Sequence, residues 1–271
     1  MSTALPPLLP AFLAGLLSWA CIALGAGGIL ARSHYPRRVL DILMGVAAGM
    51  MLGATFWTLL TPALELSTHE GHWGRWAFVP VGAGLALGVL FLRLFDALLP
   101  HVHPRHGITE GISTRWQRCI LLVLAMALHH FPEGLAMGVS YGAVGVAGPT
   151  GQALHMDSAL LLTAALLLQN LPEGFVVAAT LRAEGLEARP AFVLGALTGC
   201  TTLPGSLAGA LGVGVLQHLL PLALAFAGGA MLYVIVEDVL PEAQGAGHDH
   251  AASLAIIGGV LLIMMLHTLF D

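Results

Sequence analysis

Charge is what this chain has least of. Only 9% of its 271 residues are charged against 57% hydrophobic, and lysine is absent altogether. A soluble domain carries about 25% charged residues, so this composition excludes one and leaves a chain whose surface faces lipid. A basic excess is missing too: the net charge of −5 leaves no footprint for nucleic acid. Cysteine is scarce. Cys21, Cys119 and Cys200 lie in or beside apolar runs and form no CxxC pair, which excludes a disulfide framework and a thiolate site and leaves small buried hydrophobes. No HExxH phrase is present. No basic segment precedes the first apolar run, so that run reads as a membrane span and not as a signal peptide.

Long apolar runs are what the chain does have. About 20 apolar residues cross a bilayer as a helix, whereas a barrel strand needs about 9–11 alternating ones. Eight runs meet the helical length: roughly 8–31, 39–62, 76–99, 116–143, 157–181, 190–214, 217–240 and 252–270. The class is therefore an all-α polytopic membrane protein. Short connections make residues 1–271 one transmembrane domain, and 34 glycines suit close helix packing in lipid. Arginine sets the expected orientation. Arg32, Arg37 and Arg38 follow the first span, Arg93, Arg105, Arg115 and Arg118 accompany the third connection, and Arg182 and Arg189 follow the fifth span. Only Arg75 falls in an alternate connection. The positive-inside rule makes the arginine side cytoplasmic and puts both termini outside. A lysine-free, Ala/Gly/Leu/Arg-rich composition points to a bacterial cytoplasmic membrane.

The chemistry concentrates in two near-copies of one phrase. His129-His130-Phe131-Pro132-Glu133-Gly134 lies in the fourth span and Gln169-Asn170-Leu171-Pro172-Glu173-Gly174 in the fifth. His129 and Glu133, like Gln169 and Glu173, are four residues apart and share a helix face. Pro132 and Pro172 deprive the carbonyls of Leu128 and Leu168 of their helical donors and are expected to bend each helix. Two intramembrane glutamates repel each other and are costly near the bilayer centre. A divalent cation offsets both charges. The mixed nitrogen and oxygen set suits Zn²⁺, Fe²⁺, Mn²⁺, Cd²⁺ or Ni²⁺ better than Ca²⁺ or Mg²⁺.

Other polar groups are less decisive. Glu237 and Asp238, late in the seventh span, are the best further candidates for an ion route, while Asp41, Asp96, His267 and Asp271 lie near span ends, where charges are cheap. His101, His103 and His106 follow the third span, and Glu242, His248, Asp249 and His250 follow the seventh. Such tracts read equally as weak metal sites and as solvated loops. An outer cluster of Glu65, His69, Glu70 and His72 would collect ions on arrival. Met51 offers a soft ligand or, more simply, packing.

The phrases HHFPEG and QNLPEG, in the fourth and fifth of eight spans, resemble the ZIP (Zrt/Irt-like) metal transporters, and their bacterial GufA-like branch in particular. The resemblance extends to the span count, the histidine-bearing third connection and the acidic-Pro-Glu end of the seventh span. It implies uptake of Zn²⁺, with Cd²⁺, Fe²⁺ or Mn²⁺ as further cargo. It also implies a 3+2+3 inverted repeat and an elevator-like motion of spans one, four, five and six. The implied metal ligands are His129, Glu133, Gln169 and Glu173, with Met51 as an optional fifth. Glu173 would bridge to a second site through His130 and Asn170, and Glu237 and Asp238 would receive the ion on the cytoplasmic side. Three positions depart from the pattern: His130 stands where Asn is usual, Asn170 where some members have Asp, and Leu203 where many carry Glu. The second site loses charge, so one metal or an unequal pair is expected. An intramembrane metal-dependent hydrolase, a non-transporting sensor and an exporter are the competing readings, and the sequence leaves monomer and homodimer both open.

Overall fold

A computed structural model describes residues 8–31, 35–69, 73–98, 101–102, 109–110, 118–144, 155–215, 219–245 and 249–270. Eight helices in it are long and apolar enough to cross a membrane. They are α1 (Leu8–Leu30), α2 (Arg37–Thr68), α3 (Gly74–Leu94), α4 (Leu122–Ala143), α5 (Met156–Ala183), α6 (Ala188–Val213), α7 (Leu220–Gln244) and α8 (His250–Leu269). Between α3 and α4, β1 (His101–Val102) and β2 (Thr109–Glu110) form a two-residue antiparallel ladder that pairs His101 with Glu110. In their most apolar windows 61% of the residues of α4 and of α5 are buried, against 17% in α8. The two helices that carry the repeated phrase are thus walled in, and α8 faces lipid.

The packing follows an inverted repeat. α1 packs on α5 as α6 packs on α4, and α2 packs on α8 as α7 packs on α3. α2 also meets α5 as α7 meets α4. Exchanging the first three helices with the last three, and α4 with α5, carries each pair into its counterpart.

Two span ends differ from the sequence expectation, and for one reason. The second span was expected to stop at Pro62 and the seventh before Pro241, but α2 continues to Thr68 and α7 to Gln244. Each helix widens into a π-helical turn, Thr55–Leu60 in α2 and Ile235–Val239 in α7, shortly before its proline. A π turn offsets the hydrogen-bond ladder by one residue and makes room for the proline that follows it. α4 and α5 likewise run unbroken through Pro132 and Pro172.

Lipid gives helices no hydrophobic reason to associate, so backbone approach and interhelical hydrogen bonds must hold them. The Thr202 hydroxyl donates to the Gly15 carbonyl at 2.9 Å and Ser206 to that of Ala11 at 2.6 Å, joining α6 to α1. Trp19 Nε1 donates to the Ala196 carbonyl at 2.8 Å, and Thr201 ties α6 to the Ala127 carbonyl of α4. The glycines of the two repeated phrases bring backbones into contact. A Cβ on Gly134 would stand 2.1 Å from the Thr202 carbonyl oxygen, and one on Gly174 would stand 2.2 Å from that of Ile22.

Gly174→Ala is therefore expected to destabilise the protein by about 1–3 kcal/mol, the usual cost of overpacking. Gly258→Ala, where an added Cβ meets nothing within 4 Å, is expected to be neutral. Thermal unfolding of the purified variants in detergent checks both, and equal behaviour would contradict the backbone contact.

Candidate metal centre

α4 presents His129, His130 and Glu133, and α5 presents Gln169, Asn170 and Glu173. All six are at most 2% exposed. The i, i+4 spacing puts His129 beside Glu133 and Gln169 beside Glu173, and the packing of α4 on α5 closes the set. His129 Nε2 lies 2.7 Å from Glu173 Oε1 and 4.0 Å from Glu133 Oε1. His129, Glu133 and Glu173 can each offer one ligand atom such that all three atoms lie within 4.8 Å of one another. Ligand atoms around one zinc ion stand at most about 4 Å apart, so closing the cluster takes a movement of less than about 1 Å. Gln169 Nε2 donates to Glu133 Oε1 at 2.6 Å, which orients that carboxylate.

Several lone pairs in the cluster are unused. Glu133 Oε2, Glu173 Oε2, Gln169 Oε1 and Asn170 Oδ1 are buried with no hydrogen-bond partner among the described residues. Buried acceptors without partners are costly, and a cation satisfies several at once. Glu173 occupies the middle of the cluster: His130 Nε2 stands 3.6 Å from its Oε1, on which His129 also bears. Asn170 Nδ2 donates to Ser18 Oγ of α1 at 2.6 Å, so α1 steadies the side that holds His130 and Asn170. On α6, Leu203 is half-buried beside Gly15 of α1 and supplies no ligand atom to this side.

The remaining predicted residues separate. Asp238 is half-buried and lines a small cavity together with His129, Leu128 and Tyr233, whereas its neighbour Glu237 is exposed. Consecutive helical residues point about 100° apart, so this acidic pair does not act as one unit. Met51 is fully buried in the core around α2, and no described contact joins its sulfur to the six residues. His267 stacks on Trp57 at 6.2 Å between ring centroids. His250 is exposed. His103, His106, Glu70, His72, His248 and Asp271 lie outside the described residues, as do the side chains of His69, Asp96, His101 and Asp249.

Sequence reading missed Ser18, since a lone serine in an apolar run carries no signal. It also left Asp41 among the interfacial groups and Glu242 among the histidine-rich tract. Both are bound to Arg37: its Nε lies 2.8 Å from Asp41 Oδ1, and one Nη atom pairs with the Glu242 carboxylate. Asp41 is 1% exposed and Glu242 9%, so this ion pair fastens the start of α2 to the end of α7.

The family model described as ZIP Zinc transporter matches residues 105–267. Zinc transporter GufA of Myxococcus xanthus is 39% identical over 253 residues, covering 93% of this chain and 96% of the relative. Zinc transporter ZIP11 of Homo sapiens is 32% identical over 331 aligned positions, covering 94% and 96%. Zinc transporter ZIPB of Bordetella bronchiseptica is 35% identical over 262, covering 95% and 80%.

Zn²⁺ is expected to raise the thermal midpoint of the purified protein, since a ligand of the folded state stabilises it by mass action. Glu173→Gln, at the middle of the cluster, is expected to remove that rise, and Glu237→Gln, on the exposed side of α7, to keep it. Loss of the rise in both variants would show that the ion does not reside between α4 and α5.

Proposed function

The chain belongs to the ZIP zinc transporter family, and on that premise we propose that it carries Zn²⁺ across the membrane into the cytoplasm on His129, Glu133, Gln169 and Glu173. The observation that carries this reading is the convergence of one imidazole and two carboxylates, all buried, within 4.8 Å. An ion bound there is largely stripped of water, and the two glutamates supply the charge that compensates its dehydration. Cd²⁺, Fe²⁺ and Mn²⁺ accept the same donor types and are proposed as further cargo.

One ion per chain is proposed at this centre. A second position beside Glu173 would have His130, Asn170 and Ser18 around it, all neutral donors, with Leu203 where a further carboxylate would be needed. Asp238 is the next stop, because it shares a cavity with His129, while Glu237 faces away on the exposed side of α7. Movement is proposed as an elevator-like shift of α1, α4, α5 and α6 against the other four helices. Support comes from the hydrogen bonds. Those of Thr202, Ser206, Trp19, Thr201 and Asn170 stitch the first set together. Arg37 joins α2 to α7, and Ser67 joins α2 to α3, within the second.

Uptake of radioactive zinc into proteoliposomes tests the proposal. Saturable uptake by the wild type and its loss in Glu173→Ala are expected. Binding without uptake would favour a sensor, and uptake preserved in Glu173→Ala would remove this centre from the route. Quantitative metal analysis is expected to return one zinc per chain. Two ions, both lost on His130→Ala, would contradict that. Both glutamates must be ionised to hold metal and protons compete for them. Uptake is therefore expected to decline as pH falls through the range in which the glutamates take up protons, and a flux that stays constant under acidification would count against carboxylate ligation.

A further inference from the structure

On the arginine-rich side, α1, α2 and α5 enclose a cavity of about 440 Å³. Ile29, Leu40, Ala179 and Ala183 give it apolar walls, and Arg37 and Arg182 are its cationic groups. Tyr35 and Thr180 also line it, but Tyr35 donates its hydroxyl hydrogen to the Gly28 carbonyl and Thr180 donates its own to that of Val176. Among the described residues the guanidiniums are therefore the side-chain donors left for an occupant. Arg37 uses Nε and one Nη on Asp41 and Glu242, which leaves its other terminal nitrogen. Arg182 is half-buried and has no ion pair among the described residues.

A half-buried guanidinium without an ion pair among the described residues, at the cytoplasmic end of α5, is a binding point for an anion. The same charge repels a divalent cation, so this cavity is not part of the zinc route. An apolar chamber with guanidinium groups, between helices on the cytoplasmic side, matches the two-part chemistry of a phospholipid. We infer that the cavity seats the phosphate headgroup of an anionic phospholipid of the cytoplasmic leaflet, held chiefly by Arg182 and secondarily by Arg37. The lipid touches α2 on one wall and α1 and α5 on the other, so it bridges the two helix sets and restrains their relative movement.

Native mass spectrometry of the full-length protein with phosphatidylglycerol, phosphatidylcholine or inorganic phosphate tests this. Wild type is expected to retain phosphatidylglycerol over phosphatidylcholine. Arg182→Gln is expected to weaken that retention by about fivefold, the effect of one basic residue at an anionic lipid, and Arg182→Lys to preserve most of it. Arg189→Gln, an exposed arginine on the same side, is expected to leave retention unchanged. Equal losses in Arg182→Gln and Arg189→Gln, or equal retention of both lipids, would overturn the site. Inorganic phosphate that binds alone and displaces the lipid would overturn the lipid assignment. Ala183→Trp, which fills the cavity from its wall, is expected to expel the lipid and gives an independent reading if Arg182→Gln does not fold.

Discussion

Two carboxylates buried side by side in a membrane protein are a constraint that the rest of the molecule must satisfy. Glu133 and Glu173 are at most 1% exposed, and each would cost several kcal/mol if left ionised and unpaired near the bilayer centre. Gln169 takes one oxygen of Glu133 and His129 bears on Glu173, but other oxygens stay unused. The site is therefore under-satisfied by the protein alone. Such a centre favours a divalent ion without forming a closed cage around it, which suits an ion that must be released.

The framework keeps that centre in place by economy of side chains. Gly134 and Gly174 sit one residue after the glutamates they serve, and each allows a neighbouring backbone to touch the helix at that level. Ligand placement and helix packing are thus written in the same short phrase. Any side chain at Gly174 would push α1 away, and with it Ser18, the partner of Asn170. The prolines act in concert with this. They remove helical hydrogen bonds beside the ligands, while α4 and α5 remain continuous.

Much of this was legible in the sequence because the signals were local. Span count follows from apolar length, and the pairing of His129 with Glu133 and of Gln169 with Glu173 follows from helical periodicity. What could not be read depends on distant partners or on backbone geometry. The apolar runs stop near residues 62 and 240, and nothing in the residues announces the π turns that carry α2 and α7 farther. Glu237 and Asp238 looked like one acidic unit until the helix phase separated them. Glu242 looked like part of a histidine tract, because its partner Arg37 lies 205 positions away.

The inverted repeat also frames an asymmetry. The π turns of α2 and α7 occupy equivalent places, yet they carry different chemistry. In α2 the turn holds Thr55 and Thr58, whose hydroxyls are committed to the Met51 and Ala54 carbonyls of their own helix. In α7 it holds Glu237 and Asp238, and Asp238 shares a cavity with His129. The two turns therefore differ: α7 places a carboxylate on a cavity shared with His129, and α2 places hydroxyls bonded to their own helix. Such a difference cannot set the direction of net flux, which the ion gradient decides. A backbone that is nearly two-fold symmetric thereby presents different side-chain chemistry at its two equivalent turns.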